Sequence, residues 1–463
     1  MSRTARSQMF ARLLGGTAFA ALVIFRAGAV SAQVSQASNE SMAAPTWAED
    51  VLPIFQESCQ ECHRPNSIAP ESFMTYPEVQ RYARMIAYRV ENRIMPPWHL
   101  NPDVGIQEFE NYSGLSKDQR ETIVAWANAG APQGDMSKAP PPRVFNDALV
   151  WRLEDQFGPP DLVLNSGDYD LAAVTEDKWW HPTTETGITQ PEWAKAIEIR
   201  PANPESRTVV HHVLATLIQD ESNAPEGAAA TDIDGVRTNG GLFMEWAVGK
   251  AGQIFRPDAG KLMLPGSQIR WELHLHASGT EVENTEVQMA IWFHKTPPKY
   301  RTVLTYFDAT NGSNLDIAPN TVAVTQNSFV LRGPARVENF QPHMHMRGKA
   351  MSMQAIYPDG HKETLAFVDN FQWNWQNNYV FAADAAPLLP KGTTLVVTAW
   401  HDNTDANPSN PDSRQWVGWG DRTVDEMAHD WSDITYLDQE YFDQLVEQRK
   451  QAQQAPPVAG DQP

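Results

Sequence analysis

The chain has only two cysteines in 463 residues, Cys59 and Cys62. A protein of this size outside the cytoplasm is free to use disulfides, so if both thiols are engaged elsewhere, none remains to brace the fold. Basic residues are also scarce: 36 Lys and Arg stand against 57 Asp and Glu, a net charge of −21. That sign argues against nucleic acid or an anionic lipid surface as a partner. The apolar run "LLGGTAFAALVIF" stops at Arg26, well short of the roughly 20 residues a spanning helix needs, so no stable membrane insertion is expected. The H-E-x-x-H pattern of zinc proteases is missing, as is any short-period repeat of a solenoid.

What is present begins with a leader. Arg3, Arg6 and Arg12 precede the apolar run, and the small residues of "AGAVSA" end at Ala32. Residues 1–32 therefore read as a signal peptide cleaved after Ala32, with a periplasmic or otherwise exported product. Its removal takes away four arginines and no acids, leaving 32 basic against 57 acidic groups, a net −25. At roughly 150 residues per domain, the length predicts about three compact units.

Residues 46 to 134 read as helical. "TWAE" from Thr46, "TYPE" from Thr75 and "SKDQ" from Ser116 each place Glu or Gln three residues after a Thr or Ser, the pattern of a capping box. Val79, Tyr82, Ile86 and Val90 recur at helical spacing, as do Ile123, Trp126 and Ala127, and Gly130 ends the last helix. The stretch "APQGDMSKAPPPRVF" is a proline-rich joint. Beyond it the period changes to two. In "IRWELHLH", Ile269, Trp271, Leu273 and Leu275 fall on one face and Arg270, Glu272, His274 and His276 on the other. "VQMAIWFH" and "TTLVVTAWHDN" are similar strand-rich runs. The length from Asp161 to Leu437 suits two antiparallel sandwiches in tandem. The tail "VEQRKQAQQAPPVAGDQP" is polar and expected to fray.

Cys59 and Cys62 sit in "CQECH", with His63 immediately after. C-x-x-C-H is the attachment signature of a c-type haem: the thiols form thioethers and the imidazole is held beneath the iron. The competing reading is a redox-active dithiol, but that motif belongs in a βαβ context, whereas capped helices flank this one. A second axial ligand has to come from Met or His elsewhere. Met95 in "RIMPPWH" is the first choice, with Met74, Met85 and His99 as rivals.

Histidines gather beyond the joint. "VVHHVLA" holds His211 and His212, "ELHLHASG" holds His274 and His276, "QPHMHMRGK" holds His343 and His345, and "DEMAHDW" holds Met427 and His429. Imidazoles two apart on a strand share a face, so His343 and His345 can grip one ion. His211 and His212 face opposite sides of a regular strand, and joint ligation there requires a bulge. Imidazole suits zinc, copper, iron or nickel, and a thioether such as Met427 shifts the preference towards copper.

Taken together, "MPPWH", "NAGAPQGD", "VVHHVL", "HLHASGTE", "PHMHMRGK", "DNTDANPSNPD" and "VDEM" resemble the copper type II, ascorbate-dependent monooxygenases, in the bacterial form with a cytochrome c domain in front. That group includes peptidylglycine α-hydroxylating and dopamine β-monooxygenases. The resemblance implies a multidomain fold: a small all-α cytochrome c domain followed by two tandem antiparallel β-sandwiches. The boundaries expected are 40–135 for the cytochrome, 136–160 for a linker, 161–298 and 299–440 for the sandwiches and 441–463 for the tail. It implies two coppers and one covalent haem. His211, His212 and His274 would bind an electron-transfer copper, His274 being preferred over His276 because Gly279 follows at the family's usual spacing. His343, His345 and Met427 would bind the oxygen-activating copper.

The implied activity is hydroxylation of a C–H bond in a small organic substrate by O2. Electrons would come from a periplasmic donor or an ascorbate-like reductant and pass through the haem. The peptide-amidating relatives hold a substrate carboxylate with Arg, Asn and Tyr where this chain has Gln341, His429 and Trp431, so a glycine-extended peptide is not the expected substrate. The alternatives are a haem and copper electron-transfer or copper-binding protein without oxygenase activity, and a thiol-disulfide enzyme.

Overall fold

Alternating strands dominate the structure. The computed structural model describes residues 44–65, 67, 69, 71–145, 150–228, 240–247, 252–310, 314–375 and 377–454; the signal-peptide reading lies outside them. A ten-stranded sheet runs through both halves of the β region. Its path follows Leu162–Asn165, Val287–Phe293, Glu192–Pro201, Ala259–Met263, Tyr300–Asp308, Ala428–Tyr436, Ala335–Val337 and Leu388–Leu389. The pairings along it are antiparallel except one. Tyr300 lies opposite Ala259 and Arg301 opposite Gly260 in a short parallel contact, and there the two halves become one sheet.

Each half adds its own second layer. Lys178–Trp180, Gln268–Leu275, Val210–Ile218 and Gly240–Ala247 form the N-terminal one, and Val322–Val330, Thr394–Asp402, Gly348–Ile356 and Lys362–Val368 the C-terminal one. The period-2 pattern explains the packing: Ile269, Trp271, Leu273 and Leu275 are all completely buried in the first core, and Leu395, Val397 and Ala399 in the second.

The expected architecture needs correction. Helix makes up only 18% of the chain, and among the described residues only four helices reach seven residues. The N-terminal helices are short and do not stand as an all-α cytochrome domain, and everything from Ala44 onward packs as one compact unit. The reason lies between the helices. The stretch from Leu100 to Asn111 is broken by Pro102 and Gly105 and has no helical period, so it lies extended against the C-terminal half. Leu100 bridges to Val368 and Phe109 to Phe381, and Arg93 pairs with Asp369. Nor are the sandwiches separate, because they share the continuous sheet.

Both connecting segments are more ordered than their composition suggests. Trp151 and Leu153, inside the expected linker, are buried against Ala196, Ala290 and Trp292, and the Arg152 and Leu153 N–H groups donate to Glu198. Gln439–Gln454 in the expected tail is helical, with Phe442 buried beside Tyr300 and Leu437. Of the three capping boxes, Ser116 and Gln119 close reciprocally, Glu78 closes on the Thr75 N–H at 2.8 Å, and Asp50 takes the place of Glu49 at Thr46.

One core residue has an acid-labile character. His401 ends the inner face of Thr394–Asp402, fully buried, with neither ring nitrogen hydrogen-bonded. Burial pulls its pKa down to about 3. Its contribution is intact above the unfolded value near 6.5 and is lost as pH falls through the window from there to 3, because only the unfolded chain takes up the proton. The loss between pH 7 and pH 5 is about 2 kcal/mol. His401→Leu is expected to remove that portion of the acid destabilisation while leaving stability at pH 7 unchanged or higher, as read from urea unfolding at the two pH values.

Candidate functional site

His211, His212 and His274 converge, and a bulge brings them together. In the pairing of Val210–Ile218 with Gln268–Leu275, His274 lies opposite His212 but Leu275 lies opposite Val210, so His211 is the extra, unpaired residue. The local twist turns adjacent side chains that would otherwise diverge towards one point. His211 Nδ1 and His212 Nδ1 are 3.1 Å apart, His212 Nδ1 and His274 Nδ1 3.4 Å, and one ring nitrogen of each lies within 4.8 Å of the other two. Burial, reinforced by the neighbouring imidazoles, lowers all three pKa values, His211 to about 4 and His212 well below the ordinary value. Neutral imidazoles with facing lone pairs are what a d-block cation binds, so the donor set fits copper.

The rim of this cluster holds a carboxylate and an indole. Asp177 accepts from His274 Nε2 at 3.0 Å and is in contact with His276 Nδ1 at 2.7 Å. The ring of Trp179 stacks on His274 with centroids 4.1 Å apart and planes 4° apart. His276 thus sits against Asp177 beside the trio.

The second set is assembled on the edge of Ala428–Tyr436. His343 pairs with His429 and Met344 with Ala428, and from the end of that pairing one strand continues into His345 and the other is entered from Met427. A single buried carboxylate fastens the two segments: Glu426 Oε1 accepts from the N–H groups of His345 and Met427, and Oε2 from that of Arg347. Burial pushes the Glu426 carboxyl up to about 7, against the pull of these donors and the Arg347 guanidinium. Arg347 is itself buried and tied to Asn403 and to the Val424 carbonyl. His345 donates from Nδ1 to the Asp425 carbonyl at 3.3 Å, which leaves Nε2 as its ligating nitrogen. The His343 and His345 ring centroids are 5.2 Å apart. His429 stacks on His343 at 4.9 Å, Trp431 packs on both, and the Tyr306 hydroxyl and His429 Nδ1 share a hydrogen bond of 2.9 Å. Two imidazoles beside a thioether-bearing residue fit copper.

The two sets come from different halves yet sense one another. Charge on His345 contributes to lowering both His212 and His274. Gln341, two residues before His343, bonds across to Glu245 of the N-terminal half.

In the N-terminal segment, Cys59 and Cys62 lie around one turn, with the His63 N–H bonded to the Cys59 carbonyl at 3.0 Å. His63 donates from Nδ1 to the Glu71 carbonyl at 2.9 Å, leaving Nε2 free to ligate. Burial pushes Cys59 up to about 12 and raises Cys62 as well. A dithiol redox enzyme needs a lowered thiol pKa, which this pair does not have. Met95 lines a cavity of about 420 Å³ with Val90, Trp98, Tyr112 and Leu115; none of Cys59, Cys62 or His63 lines it. Of the rivals, Met85 is exposed, and His99 is buried beside Asn377 and Tyr379 of the C-terminal half.

Sequence reasoning had no signal for Asp177, Tyr306 or Arg347, whose partners lie far along the chain. Glu426 stood in plain view within "DEM", but its role depends on three backbone N–H groups that only folding gathers. Glu426→Ala leaves those three backbone donors without their acceptor and is expected to destabilise the fold by about 3 kcal/mol. Glu426→Gln, which keeps one acceptor oxygen, should cost clearly less in the same urea titration.

No family model matches this sequence, and no curated protein matches it. Among solved structures, the chain is similar at 9% identity to the VP2 subviral particle of infectious bursal disease virus, over 59% of this chain and 71% of that one, with a TM-score of 0.17. A structure of the Gt strain of the same virus is also 9% identical, over 65% and 75% of the chains, with a TM-score of 0.16. A single-residue variant of oxalate decarboxylase from B. subtilis is 9% identical over 66% and 86%, with a TM-score of 0.13. Likenesses this slight carry no argument about fold or function.

Proposed function

We propose that the protein is an exported haem- and copper-dependent monooxygenase that uses O2 to hydroxylate a C–H bond of a small organic substrate. The observation that carries this reading is the pairing of two unlike donor sets. One is an all-imidazole trio at His211, His212 and His274. The other combines His343 and His345 with Met427, held by Glu426 within electrostatic reach of the trio. Cys59, Cys62 and His63, with Met95 as the proposed distal ligand, would hold a covalent haem; a periplasmic donor or an ascorbate-like reductant would supply electrons. Bound at these places, copper and haem supply one-electron transfer and activation of O2, which side chains alone cannot provide.

The chain's own residues orient and exclude. The Asp425 carbonyl fixes the His345 proton on Nδ1, and Glu426 keeps the His345 and Met427 backbones in register. The His343, His429 and Trp431 stack is buried and keeps water from that side of the site. The surroundings disfavour an anionic substrate. Gln341 is bonded to Glu245, Arg347 is enclosed by its own partners, and Glu245, Glu426 and Asp430 are all buried acids. Among the described residues, a carboxylate entering there meets no cation able to pair with it, which favours a neutral substrate.

The test is a metal count on the purified exported chain, followed by O2-uptake measurements over a panel of neutral aromatic and aliphatic compounds. One covalent haem and two coppers are expected, with uptake dependent on one of the compounds. Met427→Ala should lower turnover about 100-fold or more with the haem spectrum unchanged. Copper binding without substrate-dependent uptake across the panel would instead make the chain an electron-transfer or copper-binding protein.

A further inference from the structure

Asp177 lies just before Lys178–Trp180, the short strand that pairs with Gln268–Leu275 so that Trp179 is opposite His274. The two residues act on one ring. Because Asp177 accepts from His274 Nε2 at 3.0 Å, the proton of the neutral imidazole sits on Nε2 and the lone pair on Nδ1, the nitrogen facing His212. Trp179, stacked 4.1 Å away and nearly coplanar, blocks rotation about the last side-chain bond. Tautomer and orientation, the two freedoms of a histidine ligand, are both removed. His276 Nδ1 lies 2.7 Å from the other Asp177 oxygen, a contact that keeps that half-exposed carboxylate from swinging to solvent.

We propose that Asp177, braced by His276, is a positioning residue for the imidazole trio, holding His274 as an Nδ1 donor and favouring the oxidised form of a metal bound there. The proposal rests on the reading of His211, His212 and His274 as copper ligands. An anionic acceptor on Nε2 makes Nδ1 more electron-rich, and an electron-rich nitrogen stabilises Cu(II) relative to Cu(I). A copper so held gives up its electron more readily than one held by three unassisted imidazoles. Asp177, His274 and His276 are close enough to hold an ion themselves. However, His274 spends its Nε2 proton on the carboxylate and His276 abuts the other oxygen, so the geometry is that of a brace.

The experiment uses the full chain, comparing wild type with Asp177→Ala, Asp177→Glu, His276→Ala and His212→Ala. Copper stoichiometry, Cu(I) and Cu(II) affinity by chelator competition, the reduction potential and the Cu(II) electron paramagnetic resonance spectrum are measured, with apoprotein melting as a folding control. Asp177→Ala is expected to weaken Cu(II) binding about 10–100-fold, raise the potential and alter the nitrogen hyperfine pattern. Asp177→Glu should recover much of the loss, and His276→Ala should show a smaller shift in the same direction. Wild-type affinity and potential in Asp177→Ala overturn the proposal while leaving the trio intact. Loss of one whole copper equivalent in that variant overturns it differently, by making Asp177 a ligand. If His212→Ala binds as much copper as wild type, the trio is not a copper site, and the functional reading fails together with the proposal.

Discussion

Two residue pairs, Tyr300 with Ala259 and Arg301 with Gly260, join the halves of this protein into one sheet, and the placement of every candidate ligand beyond the helices depends on that join. A Cβ at Gly260 would come within 2.7 Å of the Ala194 carbonyl on Glu192–Pro201, so the strand that makes the join needs glycine to pack against its N-terminal neighbour. Ion pairs flank the join: Lys261 with Asp433, Arg336 with Asp258, and Arg256 with Glu338, while Arg301 reaches Glu221. Buried pairs of this kind contribute little net stability against hydrophobic replacements, yet leaving one partner alone is costly. They therefore act mainly against slippage of one half past the other, which is what keeps two sets of histidines from separate sheets within reach.

Within each half, metal-binding potential follows from a small departure from regular structure. The bulge at His211 converts an alternating strand into one that aims consecutive side chains at the same point. On the other side, regularity is retained, and Glu426 provides the convergence by gathering three backbone donors around one carboxylate. The two solutions differ in stiffness. The trio is clamped from its rim by Asp177 and Trp179, whereas His343 is held by stacking against His429 and Trp431.

The N-terminal segment shows how tertiary contact can override a local pattern. Its helices were readable from their caps and periodicity: Ser116 and Gln119 close as expected, and Ile123 and Trp126 are fully buried. The connection after Met95 was not. Trp98 and Phe109 carry no periodic signal, and their burial against Tyr379 and Phe381 attaches the segment to the C-terminal half instead of leaving it as an independent domain. The same holds for Trp151 and Phe442, whose docking sites lie far along the chain.

Amino-acid order alone determined the period-2 runs that became the two cores, the C-x-x-C-H stretch, and the grouping of histidines in three places with Met427 in a fourth. These are local properties, and spacing along a strand or turn expresses them directly. Folding decided which of those groups meet. His274 joined the trio and His276 turned to Asp177 because a register shift and a cross-strand indole, neither encoded within a few residues, set their ring orientations. One sheet arose where two sandwiches were expected because parallel pairing depends on partners some forty residues apart, a separation over which local pattern has no hold.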